Sequence, residues 1–121
     1  VFPPGVENIS GVNFSKIKTL REVDLSKTLV EEIPSSMLSE NTRLREIKLP
    51  DTVKKVNELA FASSGIDSLE ISSEASLHST ALKNTPFLKV IYVDDVEAFK
   101  QNQNEKTLKK LASQKIKIER K

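Results

Sequence analysis

The chain has 121 residues, with 19 Lys and Arg, 17 Asp and Glu, one His and no Cys, and a formal net charge of +2. That length suits one domain able to bury a core unaided. The missing Cys exclude disulfides, thiolate metal sites and Cys nucleophiles, and the interspersed charge signs argue against a nucleic-acid surface.

No apolar run approaches the roughly 20 residues needed to span a bilayer, and no signal-peptide pattern is present. The first residue is Val1 rather than Met, so the expectation is that an export signal has been removed ahead of it.

In chain order, Phe2-Pro3-Pro4-Gly5-Val6 reads like Leu49-Pro50-Asp51-Thr52-Val53, so a partial unit opens the chain. Full units follow. Leu20, Leu44, Ile66 and Leu88 fall 24, 22 and 22 residues apart, each followed three residues on by Val23, Ile47, Leu69 and Ile91 and two further on by Leu25, Leu49, Ile71 and Val93. The intervening segments align as well: Val6, Val30 and Val53; Ile9, Ile33, Val56 and Leu77; Phe14, Leu38, Phe61 and Leu82. Repetition at this period signals a stack of similar supersecondary units.

In each LxxLxL the last three positions alternate in, out, in, which is strand periodicity. One such strand cannot bury its apolar side alone, whereas parallel copies about 4.8 Å apart form a sheet over a continuous aliphatic column. Ser26-Lys27, Pro50-Asp51 and Ser72-Ser73 supply turn chemistry after the strands. The return of each unit is expected to run as a short extended piece and then a helical turn, with Phe61 plugging the core. Ala60 and Ala81 permit close approach, and Gly65 is expected to take a positive φ at the shortest return.

After Val93 the register changes. Asp94-Asp95 and Val96–Lys100 read as a capped helix start, Gln101–Asn104 as a polar break, and Asn104 as the cap of a second helix through Ala112. Ile116 and Ile118 alternate with Lys115, Lys117 and Glu119, the pattern of a final edge strand. Residues 94–121 are therefore read as a C-terminal cap within one domain. Their basic excess (Lys106, Lys109, Lys110, Lys115, Lys117, Arg120 and Lys121 against Glu105 and Glu119) suits a solvated helix face better than an acidic partner or a membrane.

The 44–61 unit, Leu44-Arg45-Glu46-Ile47-Lys48-Leu49-Pro50 with Val53, Val56 and Ala60-Phe61, resembles the BspA-like leucine-rich repeats of surface proteins. The unit at Leu20 departs by Met37-Leu38 in place of Ala-Phe, and that at Ile66 by Ala81-Leu82 and the missing Pro. The resemblance implies an α/β, right-handed leucine-rich-repeat solenoid over residues 1–121. Parallel strands lie on one face, helical turns on the other, and a helical cap follows the repeats of about 2–93. It further implies a non-catalytic protein-binding or adhesion module, extracellular or at the cell surface, of a host-associated bacterium.

The residues carry no recognisable catalytic pattern either. GxSxG, P-loop, GxGxxG and HExxH motifs are absent. His78, the one His, reads as a turn residue rather than a catalytic base. Asp94, Asp95 and Glu97 lack the Gly-containing loop of a calcium site and read as helix caps. Asn8-Ile9-Ser10 and Asn13-Phe14-Ser15 match the glycosylation acceptor pattern, but Ile9 and Phe14 align with buried columns, and the match matters only in a eukaryotic secretory pathway. No catalytic residue, metal or cofactor is expected.

The expected partner is a protein, with host extracellular or cell-surface proteins as candidates, and not nucleic acid. The candidate contact set is the outward strand residues: Glu22, Asp24, Glu46, Lys48, Ser68, Glu70, Val90 and Tyr92. Tyr92 is either an interface anchor or a residue packed under the C-terminal segment. Four strands give a face roughly 15 Å long, of area on the order of 200–300 Å², below the approximately 800 Å² of a standard interface. This shortfall keeps open a second reading, a spacer or terminal piece of a larger array with no partner of its own.

Overall fold

The structure, a computed structural model, describes residues 16–17 and 19–120. The partial opening unit, Ile9, Phe14 and both Asn-x-Ser patterns lie outside the described residues.

The chain winds through the elements β1 (Glu22–Asp24), β2 (Glu32–Ile33), β3 (Glu46–Lys48), β4 (Lys55–Val56), β5 (Ser68–Glu70), β6 (Ser76–Leu77), β7 (Val90–Val93), α1 (Val96–Gln101), α2 (Glu105–Ser113) and β8 (Lys117–Arg120). Each LxxLxL core forms a strand of one five-stranded sheet, in the order β1-β3-β5-β7-β8, and the returns form a three-stranded sheet, β2-β4-β6. All pairings are parallel, as a coil that advances one strand per turn demands.

The register follows the sequence alignment. Val23, Ile47, Leu69, Ile91 and Ile118 are successive rungs of the large sheet, and Ile33, Val56 and Leu77 of the small one. These rows meet in a single aliphatic core with Leu44, Ile66, Leu88, Leu38, Phe61 and Leu82, while Leu20 packs partly buried at its margin.

The return segments differ from expectation. After each short strand the chain makes consecutive hydrogen-bonded turns, not a helix. Alternate amides close these turns locally, as in Met37 N to Pro34 O (3.3 Å) and Ala60 N to Asn57 O (3.3 Å). The others cross to the next coil, as in Leu38 N to Ala60 O (2.8 Å), Glu40 N to Ala62 O (2.8 Å) and Phe61 N to Ala81 O (2.9 Å). A continuing helix would point its amides along its own axis, whereas here alternate amides point sideways to the neighbouring coil. Positive φ at Ser36, Glu40, Leu59, Ser63 and Asn84 breaks any helical run at each turn.

Gly65 is required for a different reason from the one expected. It does not occupy the left-handed region; Ser63 does, at φ 58°. A Cβ on Gly65 would collide with the guanidinium of Arg45 and the carbonyl of Thr42. Arg45 Nη1 lies in that space because it donates to Thr42 O (2.9 Å) and Gly65 O (3.1 Å), tying adjacent coils together. Its guanidinium also stacks 5.6 Å from the ring centre of Phe87, which is 56% exposed.

The segment after β7 continues the winding. Asp95 caps α1 by accepting from Ala98 N, and Asn104 caps α2 by accepting from Thr107 N. Phe99 of α1 falls one period beyond Leu77 and is fully buried. Helix α2 ends with Lys115 at φ 57°, Ile116 N bonding back to Leu111 O (3.1 Å) and Lys115 N to Ala112 O (3.0 Å), the double bond pattern of a Schellman turn. That turn aims the chain into β8, which pairs with β7.

Gln103, within the polar break between the helices, is buried. Its Oε1 accepts from Leu77 N (2.7 Å) and its Nε2 donates to Ala75 O (2.7 Å). The side-chain amide thus stands where the peptide of a next strand would stand beside β6. Thr107 Oγ1 adds a bond to Leu77 O (2.9 Å). A buried amide deprived of its partner costs about 1–3 kcal/mol. Gln103→Leu is expected to destabilise the chain by at least about 2 kcal/mol, read by urea unfolding. Gly65→Ala is expected to cost about 1–3 kcal/mol by overpacking, and wild-type midpoints for either variant would contradict these roles.

Candidate functional site

The outward positions of the large sheet form two straight columns. One runs Glu22, Glu46, Ser68, Val90 and Lys117; the other runs Asp24, Lys48, Glu70, Tyr92 and Glu119. All eight residues of the sequence-derived set therefore share one face, in consecutive register. Lys117 and Glu119 lie outside that set; their alternation with Ile116 and Ile118 marks an edge strand, and only the pairing with β7 aligns them with Val90 and Tyr92. The fifth strand lengthens the face to roughly 19 Å.

The face changes character along its length. Glu22 at its start is exposed, while Glu46, Lys48, Ser68, Glu70, Val90 and Tyr92 are half-buried. Lys48 Nζ lies 3.7 Å from Glu46 Oε1, a surface pair worth little in stability. Asp24 accepts from the Oγ (2.5 Å) and the backbone N (2.9 Å) of Ser26. These bonds, the hydroxyl first, hold its carboxyl below the usual carboxylate value, with Lys48 and Lys27 adding to the effect.

Tyr92 lies on the open sheet face, between Glu70 and Glu119 of the neighbouring strands. Two shallow depressions adjoin it. One of about 240 Å³ is lined by Glu46, Ile47, Lys48, Ser68, Glu70 and Tyr92. The other, of about 230 Å³, lies toward the strand C-termini among Leu49, Asp51, Glu70, Ile71, Tyr92, Val93 and Asp94. Glu70 and Tyr92 border both. Each is smaller and more open than the roughly 300–1,000 Å³ clefts that enclose small molecules, and each is of a size to take a side chain projecting from a protein surface.

The other candidate groups, His78, Asp94 and Asp95, have structural partners. His78 Nδ1 accepts from Thr80 N (3.1 Å) and lies 2.8 Å from Thr80 Oγ1, within an exposed turn. Asp94 Oδ1 accepts from Ser73 Oγ (2.5 Å) and Ser73 N (3.1 Å), and Ser73 Oγ in turn accepts from Asp95 N (2.7 Å). Asp94 and Asp95 thus serve the entry to α1. Among the described residues no three carboxylates or imidazoles converge on one point.

Comparison with known proteins agrees with this geometry. A family model described as a BspA type leucine rich repeat region, in six copies, matches residues 1–110. No curated protein and no solved structure matches significantly. Among the described residues no helix is long and apolar enough to cross a membrane.

Hydrogen bonds from Ser73, the hydroxyl first, depress the Asp94 carboxyl. Their stabilisation is therefore complete above the ordinary Asp value of about 3.9 and is lost as pH falls through the lower folded-state value. Because Asp94 is exposed, the effect is discounted to about 1 kcal/mol. Asp94→Ala should lower stability by that amount at pH 7, and the gap from wild type should narrow below about pH 4, read by urea unfolding at both pH values. A gap independent of pH would remove the carboxylate from this role. The family match covers residues 1–110 of the 121, so the chain belongs to the BspA-type leucine-rich repeat family.

Proposed function

We propose that this chain is a non-catalytic protein-recognition module of a surface or secreted protein, adhesive in character, binding its partner through the large-sheet face. In this reading residues 1–121 are one right-handed solenoid domain, with residues 94–121 as its helical C-terminal cap. Family membership supports the reading in general terms, since leucine-rich repeats commonly mediate protein interactions.

The observation that carries it is the pair of depressions meeting at Glu70 and Tyr92. Tyr92 offers a rigid apolar body with a polar tip, the character of an interface anchor. Glu46, Glu70 and Lys48 around it supply charge for orientation and specificity. A partner presenting a basic or amide-bearing side chain beside an apolar one would match both depressions. Host extracellular-matrix and cell-surface proteins are the class to screen first.

The size of the face favours a second reading. At roughly 19 Å long it remains below the approximately 800 Å² per partner of a standard interface. A spacer within a longer array requires no contact of its own. The two readings separate in one experiment: immobilised chain is offered matrix and plasma proteins, beside Tyr92→Ala and Glu70→Ala variants of equal stability. Recognition through this face predicts a captured protein whose affinity falls about tenfold or more with Tyr92→Ala. Capture unchanged in both variants would move the site elsewhere, and no capture would favour the spacer.

A further inference from the structure

The two parallel sheets end differently. The last strand of the small sheet, β6, has its open amide and carbonyls bonded by the side chains of Gln103 and Thr107. The last strand of the large sheet, β8, has no equivalent. Lys117 donates its amide to Lys89 O (2.9 Å), toward β7. By the alternation of a parallel ladder, the N–H and C=O of Ile118 and Arg120 then point away from the sheet. Among the described residues no strand lies beyond β8 and no bond to those outward groups is present.

Beside this edge is an open apolar groove of about 380 Å³, lined by Lys100, Leu108, Leu111, Ala112, Ile116 and Ile118. Ile118 continues the fully buried row of Ile47, Leu69 and Ile91, yet it is only half-buried, because no further rung among the described residues covers it.

We propose that β8 is a self-association edge, on which a second copy of this chain pairs its own β8 antiparallel about Ile118. Strand geometry and the charges beside Ile118 select this occupant and this register. Antiparallel pairing requires outward-pointing residues to face each other, so Ile118 opposes Ile118 or Arg120 of the second copy. With Ile118 opposite Ile118, Lys117 of each copy faces Glu119 of the other, giving two attractive pairs by symmetry. With Ile118 opposite Arg120, Glu119 would face Glu119, and like charges directly opposite are disfavoured.

The favoured register also sets Ile118 against Ile118 on the groove side, extending the apolar row across the seam. Neither Lys117 nor Glu119 forms an ion pair with another described residue, so neither has to leave one. The product is one continuous sheet running through both copies. Lys117 and Glu119 end the outward columns of the large sheet, but the pairing does not use Glu70 and Tyr92, on which the proposed partner contact rests.

Sedimentation equilibrium of the 121-residue chain across micromolar to millimolar concentration tests this. The expected result is a concentration-dependent dimer. Lys117→Glu and Glu119→Lys should each weaken self-association about tenfold, by turning both attractive pairs repulsive. The double variant should restore it, and an equimolar mixture of the two single variants should form a heterodimer. Both positions are exposed, and thermal unfolding of each variant checks that its fold is retained. In the wild-type chain, amide exchange at Ile118 and Arg120 should slow as concentration rises. A monomer at every concentration would overturn the proposal. So would a dimer indifferent to the single charge reversals, or one that leaves exchange at Ile118 unchanged.

Discussion

Every coil of this protein is incomplete by itself. It carries one row of aliphatic side chains with nothing to bury them and backbone groups with no partner inside the coil. Only a neighbouring coil meets both needs, through rungs such as Ile47 on Leu69 and bonds such as Leu49 N to Glu70 O (3.1 Å) and His78 N to Val56 O (2.9 Å). The inter-coil bonds run along the large sheet, the small sheet and the turns, so successive coils are held on all three sides. An unpaired buried peptide group costs as much as several ordinary contacts contribute, and this requirement makes translation by one coil the lowest-energy arrangement.

The same requirement explains the irregular positions. Left-handed backbone at non-glycine residues such as Leu59 and Ser63 is unfavourable locally. It persists because it turns alternate amides toward the next coil. Between Leu38 and Leu44, Asn41 is buried, with Oδ1 accepting from Ile17 N (3.0 Å) and Nδ2 donating to Leu38 O (2.9 Å). Thr85 makes the corresponding bond to Leu82 O (2.9 Å). Ser64 holds the same column with no partner for its hydroxyl, and nothing in the structure accounts for it.

Packing leaves few positions free, and the outward columns of the large sheet are among them. Their side chains do not fill the core, so their chemistry can change from Glu22 to Tyr92 without disturbing a rung. That freedom is why a stack of near-identical coils can carry a particular surface. It is also why the face varies, from acidic at β1 to apolar and aromatic at β7.

Much of this was legible in the order of residues. The period, the inward rows and the outward columns follow from the spacing of Leu20, Leu44, Ile66 and Leu88, since a side chain's face is fixed by strand alternation. The edge strand at Ile116–Ile118 and the caps at Asp95 and Asn104 follow from equally local rules. What the sequence could not supply depends on neighbours distant along the chain. The turn segments forgo helix because their amides are claimed 22 or so residues away. Gln103, in a polar break between two helices, is buried because β6 ends beside it. Gly65 is small because the Arg45 guanidinium, 20 residues earlier, occupies its side-chain space. Local propensity determined which way each side chain points, and only the stacked structure decided which backbone groups were left to satisfy and which side chains would do so.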